Sequence, residues 1–284
     1  MNESTEVILQ SSLDTDVNLW QDEQFKAISN SAFGFDVRLS IEEIAYLSSE
    51  HSFSQEEILA VAKVFKYLEN RHRDTVVQTL LKLSRIPQKE PKTFENFNFA
   101  RMQGKDEKAL RQLPTLADLY ARKNIAFIGP EGIGKTHLAQ AYGNRCCLLG
   151  YKSYYLKTYE LKAKLEKALD ENKAEKVVNF LVKPSCLIID EVGRCKFDKD
   201  CTNLFFDIVD RRYEKEGPNT LILTTNSTPN EWGTYFAGDG TLLCALDRLF
   251  DRASVFMMKG TSYRGKECET FSVEAAASVV KGLL

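Results

Sequence analysis

Hydrophobic and polar residues follow one period in the first third of the chain and another in the rest. Between residues 37 and 86, apolar residues recur every three or four positions, which is the spacing of amphipathic helices. From residue 93 onward, short apolar runs alternate with amphipathic stretches. Such runs are typical of parallel strands that helices cover on both faces. The pattern therefore predicts a small all-helical region followed by an α/β domain.

Two helix starts in the helical region carry a specific capping signal. Ser40 is followed three residues later by Glu43. Ser54 is followed by Glu57 at the same spacing. In such a capping box, the side chain of each residue bonds to the main-chain amide of the other. We therefore expect one helix to begin after each serine.

The end of the helical region is marked by prolines. Asp74 is the predicted cap of a third helix, which Pro87 and Pro91 should end because proline interrupts helices. These signals predict a helical domain over residues 37–86 and a linker over residues 87–92.

Five apolar runs predict the strands of the α/β domain, which spans residues 93–284. The runs are 124–129, 152–157, 185–190, 220–226 and 254–259. Because amphipathic stretches separate them, we expect one parallel five-stranded sheet. Only 25 residues follow the fifth run, so we expect no full C-terminal helical lid. Residues 1–36 show no sustained period and carry a charge of −6, so we expect a flexible acidic arm there.

Residues 129–136 read G-P-E-G-I-G-K-T, which is the spacing of a phosphate-binding loop. The loop lies between a predicted strand and a predicted helix, and this context disfavours a chance glycine-rich turn. Main-chain amides and the helix N-terminus would surround the phosphates. Lys135 should reach the β- and γ-phosphates of ATP, and Thr136 should offer its hydroxyl to Mg²⁺. The predicted nucleotide contacts are Gly129, Pro130, Glu131, Gly132, Ile133, Gly134, Lys135, Thr136 and His137, although a packing or hydrogen-bonding role is the favoured interpretation of His137.

The third predicted strand ends in Asp190 and Glu191. An acid at this end of a strand, beside a phosphate loop, holds Mg²⁺ directly or through water. The glutamate after it is placed to orient or deprotonate an attacking water. Either acid could instead cap the following helix. The pair favours ATP hydrolysis over phosphoryl transfer to a small-molecule acceptor.

The fourth predicted strand ends in Thr224, Thr225 and Asn226. If the strands are ordered 5-1-4-3-2, this end lies between the phosphate loop and the acidic pair. Asn226 could then position the attacking water. Alternatively, Asn226 simply starts the turn before Pro229.

The amino-acid composition is that of a globular protein and disfavours membrane-spanning and disulfide-bonded classes. Hydrophobic residues make up 43% and charged residues 27%, as in ordinary globular proteins. No apolar run approaches the ~18 residues of a membrane helix, and the N-terminus is polar, so we expect a cytoplasmic protein without membrane contact. Seven cysteines without a C-x-x-C pair favour a reducing compartment over disulfides or zinc. The net charge of −2 hides a basic stretch, since residues 61–124 carry +7.

Several segments in order resemble one known family. They are G-P-E-G-I-G-K-T-H-L-A, L-I-I-D-E-V-G, N-L-F-F-D-I-V-D-R-R-Y-E, L-T-T-N, E-W-G-T-Y-F, L-D-R-L and S-Y-R. Together they resemble the IstB family of insertion-sequence ATP-binding proteins, AAA+ ATPases similar to the DnaC and DnaI helicase loaders. The resemblance covers roughly residues 92–267.

The resemblance implies an AAA+ fold with sheet order 5-1-4-3-2 that uses ATP and Mg²⁺. It implies homo-oligomers that form on DNA in the ATP state, with low sequence specificity for double-stranded DNA. It also implies that the protein selects target DNA for the transposase of the same element. A replicative helicase loader is the main alternative. A non-hydrolysing, nucleotide-gated scaffold is another, which Glu191 disfavours because a pure switch needs no base.

Three residues take functional roles from the resemblance. Asn226 matches the sensor I position, Arg248 the arginine finger that reaches a neighbour's γ-phosphate, and Arg264 the sensor II position. An arginine supplied in trans would couple hydrolysis to assembly. Arg248 could instead be a solvated helix residue, and Arg264 could pair with a surface acid. Arg252 is close enough to be the finger in place of Arg248.

Two basic segments are candidates for DNA contact. The first, residues 157–176, carries Lys157, Lys162, Lys164, Lys167, Lys173 and Lys176 between the second and third predicted strands. Lysines there could neutralise phosphates, but interleaved acids are equally typical of a solvated helix. The second candidate is Arg71-His72-Arg73 together with Lys63 and Lys66, which could equally be an ordinary charged surface.

Overall fold

The computed structural model describes residues 19–102, 104, 106–237 and 241–260. Its N-terminal part holds three helices: α1 at residues 19–33, α2 at Ile41–Glu50 and α3 at Gln55–Leu83. The expectation of a flexible arm over residues 1–36 is wrong for residues 19–33. Phe25 and Ile28 recur at helical spacing and are buried against the other two helices, which stabilises α1.

Both predicted capping boxes are confirmed. Ser40 accepts a hydrogen bond from the Glu43 amide at 3.2 Å, and its own amide donates to the Glu43 carboxylate at 2.8 Å. Ser54 and Glu57 repeat the arrangement at 3.3 and 2.8 Å. The main-chain and side-chain hydrogen bonds from Ser54 lower the pKa of Glu57. Each box satisfies amides that a helix start leaves unpaired.

The predicted third helix does not start at Asp74. Instead, α3 runs without a break through this position for 29 residues. The segment contains no glycine or proline, so nothing interrupts the helix once it has begun. It ends at Ser84, whose amide donates to Leu80 O at 2.9 Å, shortly before the predicted break at Pro87.

Within its described residues, the α/β domain contains five strands and the helices between them. The strands are β1 Asn124–Ile128, β2 Ser153–Lys157, β3 Cys186–Val192, β4 Thr220–Thr225 and β5 Ala253–Met257. The helices are α4 Glu107–Arg111, α5 Ala117–Tyr120, α6 Lys135–Leu148, α7 Thr158–Asp170, α8 Ala174–Val182, α9 Lys199–Glu214 and α10 Thr241–Asp251. Short 3-10 turns lie at Phe99–Arg101, Leu113–Thr115 and Pro229–Thr234.

All strand pairs in the sheet are parallel, and the order is β2-β3-β4-β1-β5. The predicted order 5-1-4-3-2 is therefore confirmed. Alternate residues of β3 enter two separate cores: Leu187 and Ile189 lie in one, Cys186 and Ile188 in the other. Because successive strand residues point to opposite faces, helices cover the sheet on both sides.

The end of α3 is attached to the outer strand of the sheet. The Tyr155 amide donates to Ser84 O at 2.8 Å. Arg85 forms an ion pair with Glu160 of α7 at 2.7 Å. The linker then follows α6, where Gln88 donates to Asn144 at 3.1 Å. The residue boundaries proposed for the linker remain a prediction.

None of the helices in the described part of the chain is long and apolar enough to cross a membrane. The segment expected to be too short for a full lid lies almost wholly at residues 261–284, outside the described residues.

Candidate nucleotide-binding site

The phosphate loop joins β1 to α6 and depends on glycine at two positions. A side chain at Gly129 would collide with the carbonyl oxygen of Met258. Gly134 caps α6 with φ 104°, a conformation that residues with a side chain rarely adopt. A Cβ there would also lie 2.8 Å from the Phe97 ring. Close packing on both sides therefore fixes the path of the loop.

Lys135 lies at the first turn of α6 and is buried, with 8% of its surface exposed. Its ammonium donates to the carbonyl oxygens of Gly129 and Pro130, each at 2.7 Å. The positive charge is thus held inside the loop, next to the N-terminus of α6. A helix N-terminus, main-chain amides and a buried cation together form an anion-binding site.

Asp190 is 1% exposed and is held by three hydroxyl groups. Thr136 donates to Asp190 Oδ1 at 2.8 Å, and Thr224 donates to the same oxygen. Tyr155 donates to Oδ2 at 2.7 Å. Burial, together with the charge of Asp190, raises the pKa of Tyr155, so its phenol stays a donor. Asp190 does not cap the next helix, because Asp198 accepts from the Cys201 amide at the start of α9.

Glu191 adopts a left-handed backbone conformation with φ 61°. The pairing of β3 with β4 shifts register at this position, and the Glu191 amide donates to Thr224 Oγ1 at 2.9 Å. Glu191 Oε2 lies 3.5 Å from Lys157 Nζ and 3.6 Å from an Arg194 nitrogen. Lys157, a candidate for DNA contact, thus lies at this site instead. Strain of this kind persists only where the surroundings hold it.

Asn226 directly follows β4 and donates to Glu131 of the phosphate loop at 3.3 Å. Arg194 contacts the same Glu131 oxygen at 3.4 Å. A cavity of about 290 Å³ opens between these groups. Its polar lining includes Glu131, Lys135, Thr136, Glu191, Arg194, Thr224 and Asn226. The structure therefore brings the residues predicted from three separate motifs to one cavity.

A second cavity, of about 820 Å³, also borders the phosphate loop. His137 faces it, with Nε2 at 2.9 Å from Thr93 O and its ring edge-on to Phe97 at 5.1 Å. Phe97 and Arg101 also line this cavity. The motifs in the sequence did not predict this lining. The aromatic repeat F-E-N-F-N-F at residues 94–99 was the available signal.

Arg248 lies near the amino-terminal ends of the strands, whereas the phosphate loop lies at their carboxyl ends. Leu249 O accepts from Asn124 at the start of β1, whereas the loop follows the end of that strand. The two ends of a five-residue strand are about 13 Å apart, at ~3.3 Å per residue. Arg248 forms an ion pair with Asp210 of α9. The structure therefore does not bring Arg248 to the phosphate loop of its own chain.

The alternative finger, Arg252, has other contacts. Its guanidinium lies 3.8 Å from Asp251 and 6.0 Å from the centre of the Tyr213 ring. Arg264, the predicted sensor II residue, lies outside the described residues.

Three lysines of α7 and the following turn form ion pairs with acids nearby in the chain, whereas Lys164 lies 5.5 Å from the centre of the Phe180 ring. Lys162 lies 3.3 Å from Glu166, and Lys167 lies 3.7 Å from Glu171. Lys173 contacts Glu171 at 2.8 Å. This arrangement favours the solvated, ion-paired interpretation of the segment. Exposed pairs of this kind add little to stability.

The fold and the site together define the class. A parallel sheet in this order, with a phosphate loop after β1 and an acidic pair in β3, is that of a nucleotide-binding protein of the AAA+ type. The family described as "IstB-like ATP binding protein" matches residues 37–270. The chain therefore belongs to the IstB-like ATP-binding proteins.

Relatives agree with this assignment, and one solved structure shares the fold. The chain is 39% identical to an insertion sequence IS5376 ATP-binding protein of Geobacillus stearothermophilus, over 79% of this chain and 86% of the relative. It is 34% identical to an insertion sequence IS21 ATP-binding protein of Pseudomonas aeruginosa, over 81% and 87%. A structure of the replication initiator DnaA bound to AMPPCP and single-stranded DNA has a similar fold, with TM-score 0.50, 22% identity and coverage of 62% and 52%.

Proposed function

We propose that the chain is an ATPase that hydrolyses ATP to ADP and phosphate. The observation that carries this proposal is the position of Glu191, whose carboxylate lines the same cavity as Lys135 and Thr136. A protein that only binds ATP has no need for a carboxylate at this place. The second cavity beside the phosphate loop leaves room for the base and sugar of ATP.

In this mechanism, Glu191 accepts a proton from water as the water oxygen attacks the γ-phosphorus. The bond between the γ-phosphorus and the bridging oxygen breaks, and ADP leaves. Lys157 and Arg194 hold Glu191 through contacts of 3.5 and 3.6 Å. Asn226 orients the water, and Lys135 offsets the charge on the phosphates.

The Thr136 hydroxyl and Asp190 Oδ1 lie 2.8 Å apart. Both are oxygen ligands, which Mg²⁺ prefers. These two residues would hold the ion, directly or through water. When bound, Mg²⁺ neutralises charge on the β- and γ-phosphate oxygens. Thr224 and Tyr155 keep Asp190 in place from the other strands.

We further propose that the ATPase binds double-stranded DNA as a homo-oligomer and assists a transposase. The support comes from relatives that are named as insertion-sequence proteins, which favours transposition over helicase loading. The basic stretch at residues 61–124 offers charge for sequence-independent contact with phosphates. Arg248, at the end of the sheet away from its own phosphate loop, is the proposed arginine finger for a neighbouring subunit.

Two variants test the ATPase proposal, because one should lose nucleotide binding and the other should lose only turnover. Lys135→Ala should abolish nucleotide binding, because it removes the buried cation of the loop. Glu191→Gln should keep binding and lower turnover by about 100-fold or more, because it removes the base. Binding of a fluorescent ATP analogue and release of phosphate measure the two properties. Wild-type turnover in Glu191→Gln would exclude Glu191 as the base.

A further inference from the structure

Tyr155 lies next to the acidic pair without belonging to any nucleotide-binding motif. Its side chain is 6% exposed, in the middle of β2, which is an outer strand of the sheet. The phenol donates to Asp190 Oδ2 at 2.7 Å. The Tyr155 amide donates to Ser84 O at 2.8 Å on the outer side of the strand. Both its side chain and its backbone are therefore fixed.

The two carboxylate oxygens of Asp190 have separate partners. Thr136 and Thr224 donate to Oδ1, and Tyr155 alone among the described hydrogen bonds of the side chain donates to Oδ2. A carboxylate held through one oxygen can rotate about its last torsion, which is a soft one. Donors on both oxygens fix its plane. As a result, Oδ1 stays next to the Thr136 hydroxyl.

We propose that Tyr155 is a positioning residue for Mg²⁺: its hydroxyl holds Asp190 so that Oδ1 and the Thr136 hydroxyl face one metal ion. The inference rests on the proposed ATPase function, and it makes Tyr155 a determinant of the affinity of the site for Mg²⁺. A partner that orients a metal ligand typically changes metal affinity by about tenfold or more when it is removed. The motif pattern gives no hint of this role, because Tyr155 acts through Asp190.

The test compares nucleotide binding with and without the metal. The dissociation constant of a fluorescent ATP analogue is measured in EDTA and in Mg²⁺, and their ratio gives the enhancement by Mg²⁺. In Tyr155→Phe we expect this enhancement to fall about tenfold, while affinity in EDTA stays at the wild-type value. The matched control is Tyr154→Phe, the neighbour on β2 whose hydroxyl lies 3.4 Å from Arg85 and not at Asp190. It should keep the full enhancement.

Three outcomes would overturn the proposal. One is an unchanged enhancement in Tyr155→Phe with a wild-type melting temperature. Another is an equal loss in Tyr154→Phe, which would indicate a general effect on β2. The third is a further loss when Tyr155→Phe is added to Asp190→Asn, since a residue that acts only through Asp190 has no effect without it. If wild-type protein fails to bind the analogue at all, the proposed ATPase function is contradicted instead.

Discussion

At the scale of single residues, His137 shows how the site keeps charge in one place. Burial lowers the pKa of His137 and nearby Lys92 lowers it further, although the hydrogen bond with Thr93 opposes both. The ring is therefore neutral at pH 7, and the positive charge of the loop resides on Lys135. A neutral ring also packs against Phe97 without the cost of burying a charge.

The lowered pKa of His137 predicts a specific loss of stability in acid. Because the folded-state pKa lies below the unfolded value of about 6.5, the unfolded chain takes up this proton first. The contribution is fully present above pH 6.5 and is lost as the pH falls from that value through the lower folded-state pKa. We expect the melting temperature of wild type to fall more between pH 7 and 5.5 than that of His137→Gln, which keeps a donor for Thr93. Parallel melting curves would contradict this prediction.

Part of the site could be predicted from the sequence for a clear physical reason. The carboxyl ends of parallel strands share one edge, so motifs that follow β1, β3 and β4 were expected to meet there. Tyr155 and Lys157 were not expected at the acids. Their position depends on the register between β2 and β3, in which Lys157 lies opposite Asp190. No local pattern encodes that register.

At the scale of elements, short sequence patterns predicted helices and strands correctly where neighbouring residues alone determine the structure. The two capping boxes and the five apolar runs were sufficient to predict helix starts, strand number and sheet class. The break at Asp74 was wrong because a capping residue does not end a helix that is already formed around it. Helix α1 was missed because polar residues surround Phe25 and Ile28, whose partners lie on α2 and α3. Only tertiary packing reveals that face.

At the scale of the whole molecule, the position of Arg248 predicts a composite site. Arg248→Ala and Lys135→Ala proteins should each be inactive as ATPases, but mixing them should restore part of the activity. One interface in the mixture then combines an intact phosphate loop with an intact finger from the neighbour. Phosphate release across a series of mixing ratios measures the recovery. Its absence, with mixed assemblies demonstrated by crosslinking, would count against the assignment.

Under the proposed DNA binding, we expect the exposed arginines of α3 to make the contacts, since Lys162 and Lys167 of α7 are paired with acids. Arg71 and Arg73 are exposed. When both are replaced by Gln, the slope of log K against log[salt] should flatten by about 0.9 for each DNA phosphate that the variant no longer neutralises. Lys162→Gln with Lys167→Gln is the control of equal charge change, and it should affect the slope less. Salt titrations of DNA affinity with ATP and with ADP supply the measurement. A larger effect in the control would move the DNA surface to α7.

The hydrogen bond between Tyr155 and Ser84 also bears on how copies of the chain can associate. An open sheet edge is a template on which strands of other molecules can add, which leads to fibres. Here the end of α3 covers that edge: Ser84 occupies the Tyr155 amide, and Arg85 lies 5.9 Å from the centre of the Tyr154 ring. Strand addition is therefore blocked on this side. Any contact that a second copy makes on this side must therefore use side chains rather than main-chain hydrogen bonds.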